Sequence, residues 1–207
     1  MTAAPKASVL LRERLYDDIC AGQFRPGEWL RQIDLEARYD MPRFAVRQVL
    51  AELTIAEVLE HVPNRGFRIS EPSVEKRIEI TEVRLNLEIP ASLAAMQHAT
   101  AEDLDQIEAA AQAYMRALDG RPWAEIRQAN HAFHRRLLQP CPNETMRNLV
   151  HTLRERNLPG AWQAGPAQLQ RSGEDHLRIV QAMRQRDETA LRDSIAAHLT
   201  AWRAAQT

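Results

Sequence analysis

The sequence predicts a mainly α protein in two parts, on three observations. Apolar residues recur at helical spacing along most of the 207 residues. That period breaks once, after residue 55, where two short β-like runs flank a Pro-Asn-Arg-Gly turn. Beyond Pro72 only helical periodicity returns, so one unit is expected over residues 1–72 and a second over 73–207.

In the first unit Val9, Leu11, Leu15 and Ile19 give an apolar stripe and predict a helix over 8–21, ended by Gly22. "FRPGEWL" reads as a turn, because Pro26-Gly27 cannot continue a helix. A short helix is predicted over Asp34–Tyr39 and a third over 43–55, with Val46, Val49, Leu50 and Leu53 on one face. "VLEHV" and "GFRIS" then form a hairpin around Pro63-Asn64-Arg65-Gly66, and Pro72 closes the unit.

Everything after Pro72 reads as a six-helix antiparallel bundle: 74–98, 101–118, 122–139, 143–157, 166–185 and 187–205. The boundaries are chemically marked. Thr100 with Asp103 has capping-box spacing. Pro122 stands at a helix start, where a missing N–H costs nothing, and Asn143 is a good N-cap. "LPGAWQAGP", with two Pro and two Gly, is expected to be irregular.

Bulk properties exclude several classes. The formal net charge of −1 announces no global basic field, so a nucleic-acid role must rest on local geometry. Cys20 and Cys141 are far apart and read as two thiols in a reducing cytoplasm. No run of about 18 uncharged apolar residues argues for a membrane span, and the charged N-terminal stretch argues against a secretory signal.

Three helices followed by a hairpin make a winged helix-turn-helix, in which the third helix enters the major groove and the hairpin lies along the backbone. Arg43 and Arg47, four apart, share a face at the start of that helix. Arginine there can donate twice to guanine or grip a phosphate, although a surface ion pair with Asp40 or Glu36 would use it equally well. The wing tip offers Arg65 and Gly66. Residues 9–70 resemble the DNA-binding domain of the GntR family of bacterial transcription regulators, through "GQFRPGEWL", "DLEARYDMPRFAVRQVLAEL" and "VPNRGFRI". The resemblance implies DNA contacts from Arg43, Arg47, Arg65 and Gly66, and gives Arg31 a more variable position. Pro42 replaces the usual Ser, and Phe44 a small polar residue, so the operator is expected to differ from the common one. Glu57 replaces the usual Gly, at a cost of about 1 kcal/mol if the backbone there is left-handed.

In the second unit "QANHAFHRRLL" puts Asn130 and His134 on one helix face, with His131 turned about 100° away toward solvent or a loop. His176 lies on the stripe of Val180 and Met183, and His198 on that of Leu191, Ile195 and Trp202. Each is 11 residues from a turn expected near Asp187. In an antiparallel hairpin that places both at one height, roughly 16 Å from the turn at about 1.5 Å per residue. Buried imidazoles need partners. A divalent metal such as zinc, nickel or iron would satisfy all of them; separate hydrogen bonds would satisfy each alone.

Residues 73–207 resemble the all-helical ligand-binding domain of FadR-like members of the family, with six helices as in the VanR-like branch. The resemblance implies a metal held by Asn130, His134, His176 and His198, with Asn130 a neutral substitute for the usual Asp. It also implies that Arg84 faces the pocket and pairs with an organic acid, although Glu88 stands at i+4 to take the same charge. The expected protein is a cytoplasmic homodimeric repressor that binds a palindromic operator in double-stranded DNA and responds to a small carboxylate metabolite. The alternatives are a metal-dependent hydrolase-like helical enzyme, for which no base carboxylate is evident near His134, and a regulator whose effector pocket holds no metal.

Overall fold

A computed structural model describes residues 4–71, 73–156 and 165–205. Pro72 and most of the "LPGAWQAGP" segment lie outside the described residues. The chain divides into two compact units, with the main boundary in sequence between Ser73 and Val74.

The first unit contains helices α1 (Ala4–Cys20), α2 (Gln32–Tyr39) and α3 (Arg43–Ile55) and strands β1 (Trp29–Leu30), β2 (Leu59–Val62) and β3 (Gly66–Ile69). The helix-turn-helix is α2 and α3, and α3 has the predicted bounds. Its inward residues Val46, Val49, Leu50 and Leu53 are essentially inaccessible and pack with Leu15, Ile19, Leu35 and Leu59. Asp40 ends α2 in the left-handed region at φ 52°, which turns the chain before Pro42. The hairpin β2–β3 is antiparallel, with Leu59 opposite Ile69 and Val62 opposite Gly66. Asn64, at φ 62°, and Gly66, at φ 102°, make its turn.

One strand was not legible. The stretch predicted as turn alone also contributes β1, which completes a three-stranded sheet of order β1-β3-β2. Gly27 N–H donates to Ile69 O at 3.0 Å and Ile69 N–H to Glu28 O at 2.9 Å, fastening the turn to β3. Two residues carry no periodicity, so only the pairing partner defines them as strand.

The second unit contains α4 (Val74–His98), α5 (Ala101–Ala117), α6 (Trp123–Leu138), α7 (Glu144–Arg156), α8 (Pro166–Gln185) and α9 (Glu188–Thr200), followed by a 3₁₀ turn, Ala201–Ala205. Six helices were expected, with the last continuous to 205; its end instead tightens into 3₁₀ geometry. The capping box is formed: Asp103 N–H donates to Thr100 Oγ1 at 3.1 Å and Thr100 N–H to Asp103 Oδ2 at 2.9 Å. Asn143 accepts from Met146 N–H at 3.0 Å. The core joins Met96, Ile107, Phe133, Leu137, Ile179, Met183, Leu191 and Ile195 across these helices. At Gly173 a Cβ would stand 2.2 Å from Met115 Sδ and 3.2 Å from the Tyr114 ring. Glycine therefore lets α8 approach α5, and sets the depth at which His176, one turn later, enters the core.

Candidate functional site

Two constellations carry the chemistry, one in each unit. In the first, Arg43 and Arg47 stand exposed on α3, and neither is held in an ion pair among the described residues. The side-chain pairing with Asp40 or Glu36 is not made. Phe44, between them in sequence, is 81 % exposed. Arg43, Phe44, Arg47 and Gln48 line one recess. A second recess brings Arg31, Arg43, Arg65 and Gly66 to a common concavity beside Trp29. The Arg65 guanidinium stacks over the Trp29 indole at 4.6 Å, which orients the wing arginine without neutralising it. A Cβ built on Gly66 meets nothing within 4 Å, so the wing tip is open to an approaching backbone. Helix α3 opens at Pro42 with no side-chain cap, leaving first-turn N–H dipoles directed outward, an arrangement suited to a phosphate.

The resemblance gives Arg31 a variable position, yet the fold puts it in the same concavity as Arg43 and Arg65. Its signal was indirect: it precedes α2 by one residue, and only the sheet pairing of β1 with the wing strand brings it there.

The second constellation lies inside the helical unit. His134 on α6, His176 on α8 and His198 on α9 form a near-equilateral triangle with ring centroids 4.9, 4.9 and 5.2 Å apart. One nitrogen from each lies within 4.8 Å of the others. Phe133 stacks on His176 at 4.0 Å, and Tyr114 meets it edge-on at 4.8 Å, so the walls are aromatic. The helical-hairpin geometry behind the expectation is present: Arg186, at φ 54°, and Asp187 turn α8 into α9. Asn130 is half-buried one turn before His134. His131, expected toward solvent or a loop, is half-buried as well, and burial with nearby Arg127 and Arg154 lowers its pKa to about 4.

Electrostatics fix the protonation of the triangle. Burial, then the Arg154 and neighbouring imidazole charges, holds His134 well below its ordinary value. Burial and the His198 charge do the same to His176. Burial lowers His198 too, partly opposed by Asp175, whose Oδ2 lies 3.5 Å from His198 Nδ1. At that separation the carboxylate stands beside the ring without a good hydrogen bond. The rings are therefore neutral at pH 7, with lone pairs available. His134 Nε2, both His176 nitrogens and His198 Nδ1 are buried with no hydrogen-bond partner among the described residues. Leaving such groups unsatisfied costs about 1–3 kcal/mol each.

The donor set fits a metal with small adjustment. Two nitrogens on a tetrahedral ion at 2.0–2.1 Å stand roughly 3.3 Å apart, so side-chain rotations must close a gap of up to about 1.5 Å. Two arginines share one buried carboxylate nearby. Arg84 Nε donates to Glu88 Oε1 at 2.7 Å, and Arg154 Nη1 donates to Glu88 Oε2 at 2.7 Å. Asp175, only 3 % exposed, pairs with Arg178 and faces His198. Of the predicted set, the three histidines converge, while Arg84 is drawn into the buried pair with Glu88. Asp175 and Arg154 were not anticipated. Asp175 adjoins His176 in sequence, a usable signal; Arg154 has none, because its partner is 66 residues away.

Two family profiles match the chain, one in each unit. The profile of the bacterial regulatory proteins, gntR family, matches residues 9–69, and that of the FCD domain matches residues 79–201. The Nta operon transcriptional regulator of Aminobacter aminovorans is 28 % identical over 179 residues, spanning 85 % of this chain and 83 % of that protein. The uncharacterized regulator YdhC of Bacillus subtilis is 24 % identical over 86 % of this chain and 80 % of its own. The structure of E. coli McbR/YncC superposes with a TM-score of 0.80 at 21 % identity, covering 96 % of this chain and 95 % of that one. A putative GntR regulator from Rhodococcus sp. RHA1 gives 0.77 at 21 % identity, covering 99 % and 97 %. With a helix-turn-helix and wing in one unit and a helical FCD domain in the other, the chain belongs to the GntR family of bacterial transcription regulators, a DNA-binding regulator that acts through its helix-turn-helix rather than an enzyme.

Proposed function

We propose that the protein is a repressor whose helical domain, residues 73–207, dimerises and binds a small organic acid beside a divalent metal, while residues 1–72 read a palindromic operator. The observation that carries this reading is the buried triangle of neutral, unpartnered imidazoles. His134, His176 and His198 would hold zinc, nickel or iron, with the Asn130 amide oxygen as a neutral fourth donor. When bound, the ion supplies positive charge to which a carboxylate can bind. Arg84 and Arg154 share the single carboxylate of Glu88, so this corner keeps surplus positive charge for an anionic effector. On DNA, Arg43 and Arg47 would contact the groove, with Arg65 and Gly66 on the adjoining backbone. Two winged units in a dimer would meet half-sites about 34–36 Å apart or a multiple of that. The effector can shift the dimer only by the difference in its affinity for the two arrangements.

Two observations favour a second reading, a pocket that binds the acid without a metal. Asn130 brings no negative charge, and Arg154 places a cation near the rings. Metal content of untagged protein separates the two. Stoichiometric metal that disappears in His176→Ala supports the first. Metal-free protein that binds carboxylates with chelator present supports the second. For the DNA face, specific binding to a selected duplex should vanish in the Arg43→Ala, Arg47→Ala double variant; unchanged sequence preference would remove both arginines from the groove.

A further inference from the structure

The outward face of α3 is not centred on its arginines. At about 100° per residue, Val46, Val49, Leu50 and Leu53 average to one inward direction. Arg43 stands roughly 70° from it, Arg47 roughly 110° and Phe44 roughly 170°. In the first two turns of the helix the residue aimed most directly away from the core is thus a phenylalanine, 81 % exposed, with Arg47 and Gln48 beside it at i+3 and i+4. Gln48 is tied to Glu52 at 3.0 Å, which leaves the phenyl ring as the forward point of the helix. No hydrogen bond can explain it, and an isolated exposed phenyl is unfavourable in water.

We propose that Phe44 is a specificity-determining residue that packs on the C5-methyl of a thymine in the major groove. This rests on α3 being the groove helix. Among base edges in that groove only thymine presents an apolar group. Guanine, adenine and cytosine at the same place would leave donors or acceptors covered by a ring that cannot satisfy them. Arg43 and Arg47, on the flank of the same face, hold the helix in register while Phe44 selects the base between their contacts.

The test uses the full-length protein and a duplex selected by it from a randomised library. Each thymine in the selected half-site is replaced in turn by deoxyuridine, which removes only the methyl. At one position wild-type binding should weaken about fourfold, the worth of one buried methyl-sized group. Phe44→Ala should bind more weakly, keep its melting temperature, and bind the thymine and deoxyuridine duplexes equally. Indifference of the wild type to deoxyuridine at every position overturns the proposal, as does a Phe44→Ala protein that retains the deoxyuridine penalty. A phenyl wedged between base steps would show in the first of these, as a variant that weakens binding without any methyl dependence. Failure of the groove-helix reading is distinct: the Arg43→Ala, Arg47→Ala protein would then keep its sequence preference.

Discussion

Glu88 accepts a charge-assisted hydrogen bond from each of two arginines, Arg84 one turn earlier and Arg154 from a different helix. Burial alone would raise its carboxyl, but the Arg154 and Arg84 charges hold it below the ordinary value of 4.5. Burial also brings Arg154 down to about 10, still a cation at neutral pH. Removing the negative charge would leave two buried guanidiniums sharing a neutral amide. Glu88→Gln should therefore lose about 3 kcal/mol of stability in urea denaturation at pH 7. The sign with pH follows from the depressed value. Below its folded pKa the carboxylate takes up a proton and the pairing is lost, whereas above 4.5 the stabilisation is complete. The gap between wild type and variant should thus be full at pH 7 and close as pH falls below 4.5; a constant gap would contradict the assignment. Only half of this was legible in sequence, because Glu88 at i+4 from Arg84 is a local relation and Arg154 is not.

Glu57 links α3 to β2 at φ 59°, the left-handed region expected from the glycine usual at that place. Such a conformation costs a non-glycine residue about 1–2 kcal/mol, and glycine returns about 0.5–1 kcal/mol of that as chain entropy. Glu57→Gly should raise the stability of the winged unit by about 0.5–1 kcal/mol, read as a higher urea midpoint with an unchanged slope. No gain would mean that the Glu57 side chain contributes as much as the strain costs. At this scale the sequence was most informative. The bounds of α3 and α4, the Thr100 capping box and the Asn143 cap follow from relations no more than four residues long. Strand β1 and the 3₁₀ end of the last helix did not follow, since short segments take their conformation from what they pack against.

For the whole molecule, a metal on the histidine triangle would bind the folded helical unit alone and stabilise it by mass action. At a hundredfold excess over its dissociation constant the gain is about 2.7 kcal/mol. Zinc added to metal-free protein should slow amide exchange in α6, α8 and α9, and EDTA should reverse it. The same addition to His176→Ala should do nothing, and unchanged exchange in the wild-type helices would remove the metal from the site. What the sequence alone determined is the two-part plan, the third helix with its two exposed arginines, and the inward stripe on which each histidine lies, because periodicity and capping are written in neighbouring residues. What the tertiary structure decided is that His134, His176 and His198 meet at one level, that Arg154 and Asp175 join them, that Arg84 is bound to Glu88, and that Arg31 reaches the wing. Those contacts exist only once helices and strands distant in the chain have packed, and packing answers to the shape of the whole core rather than to any local run.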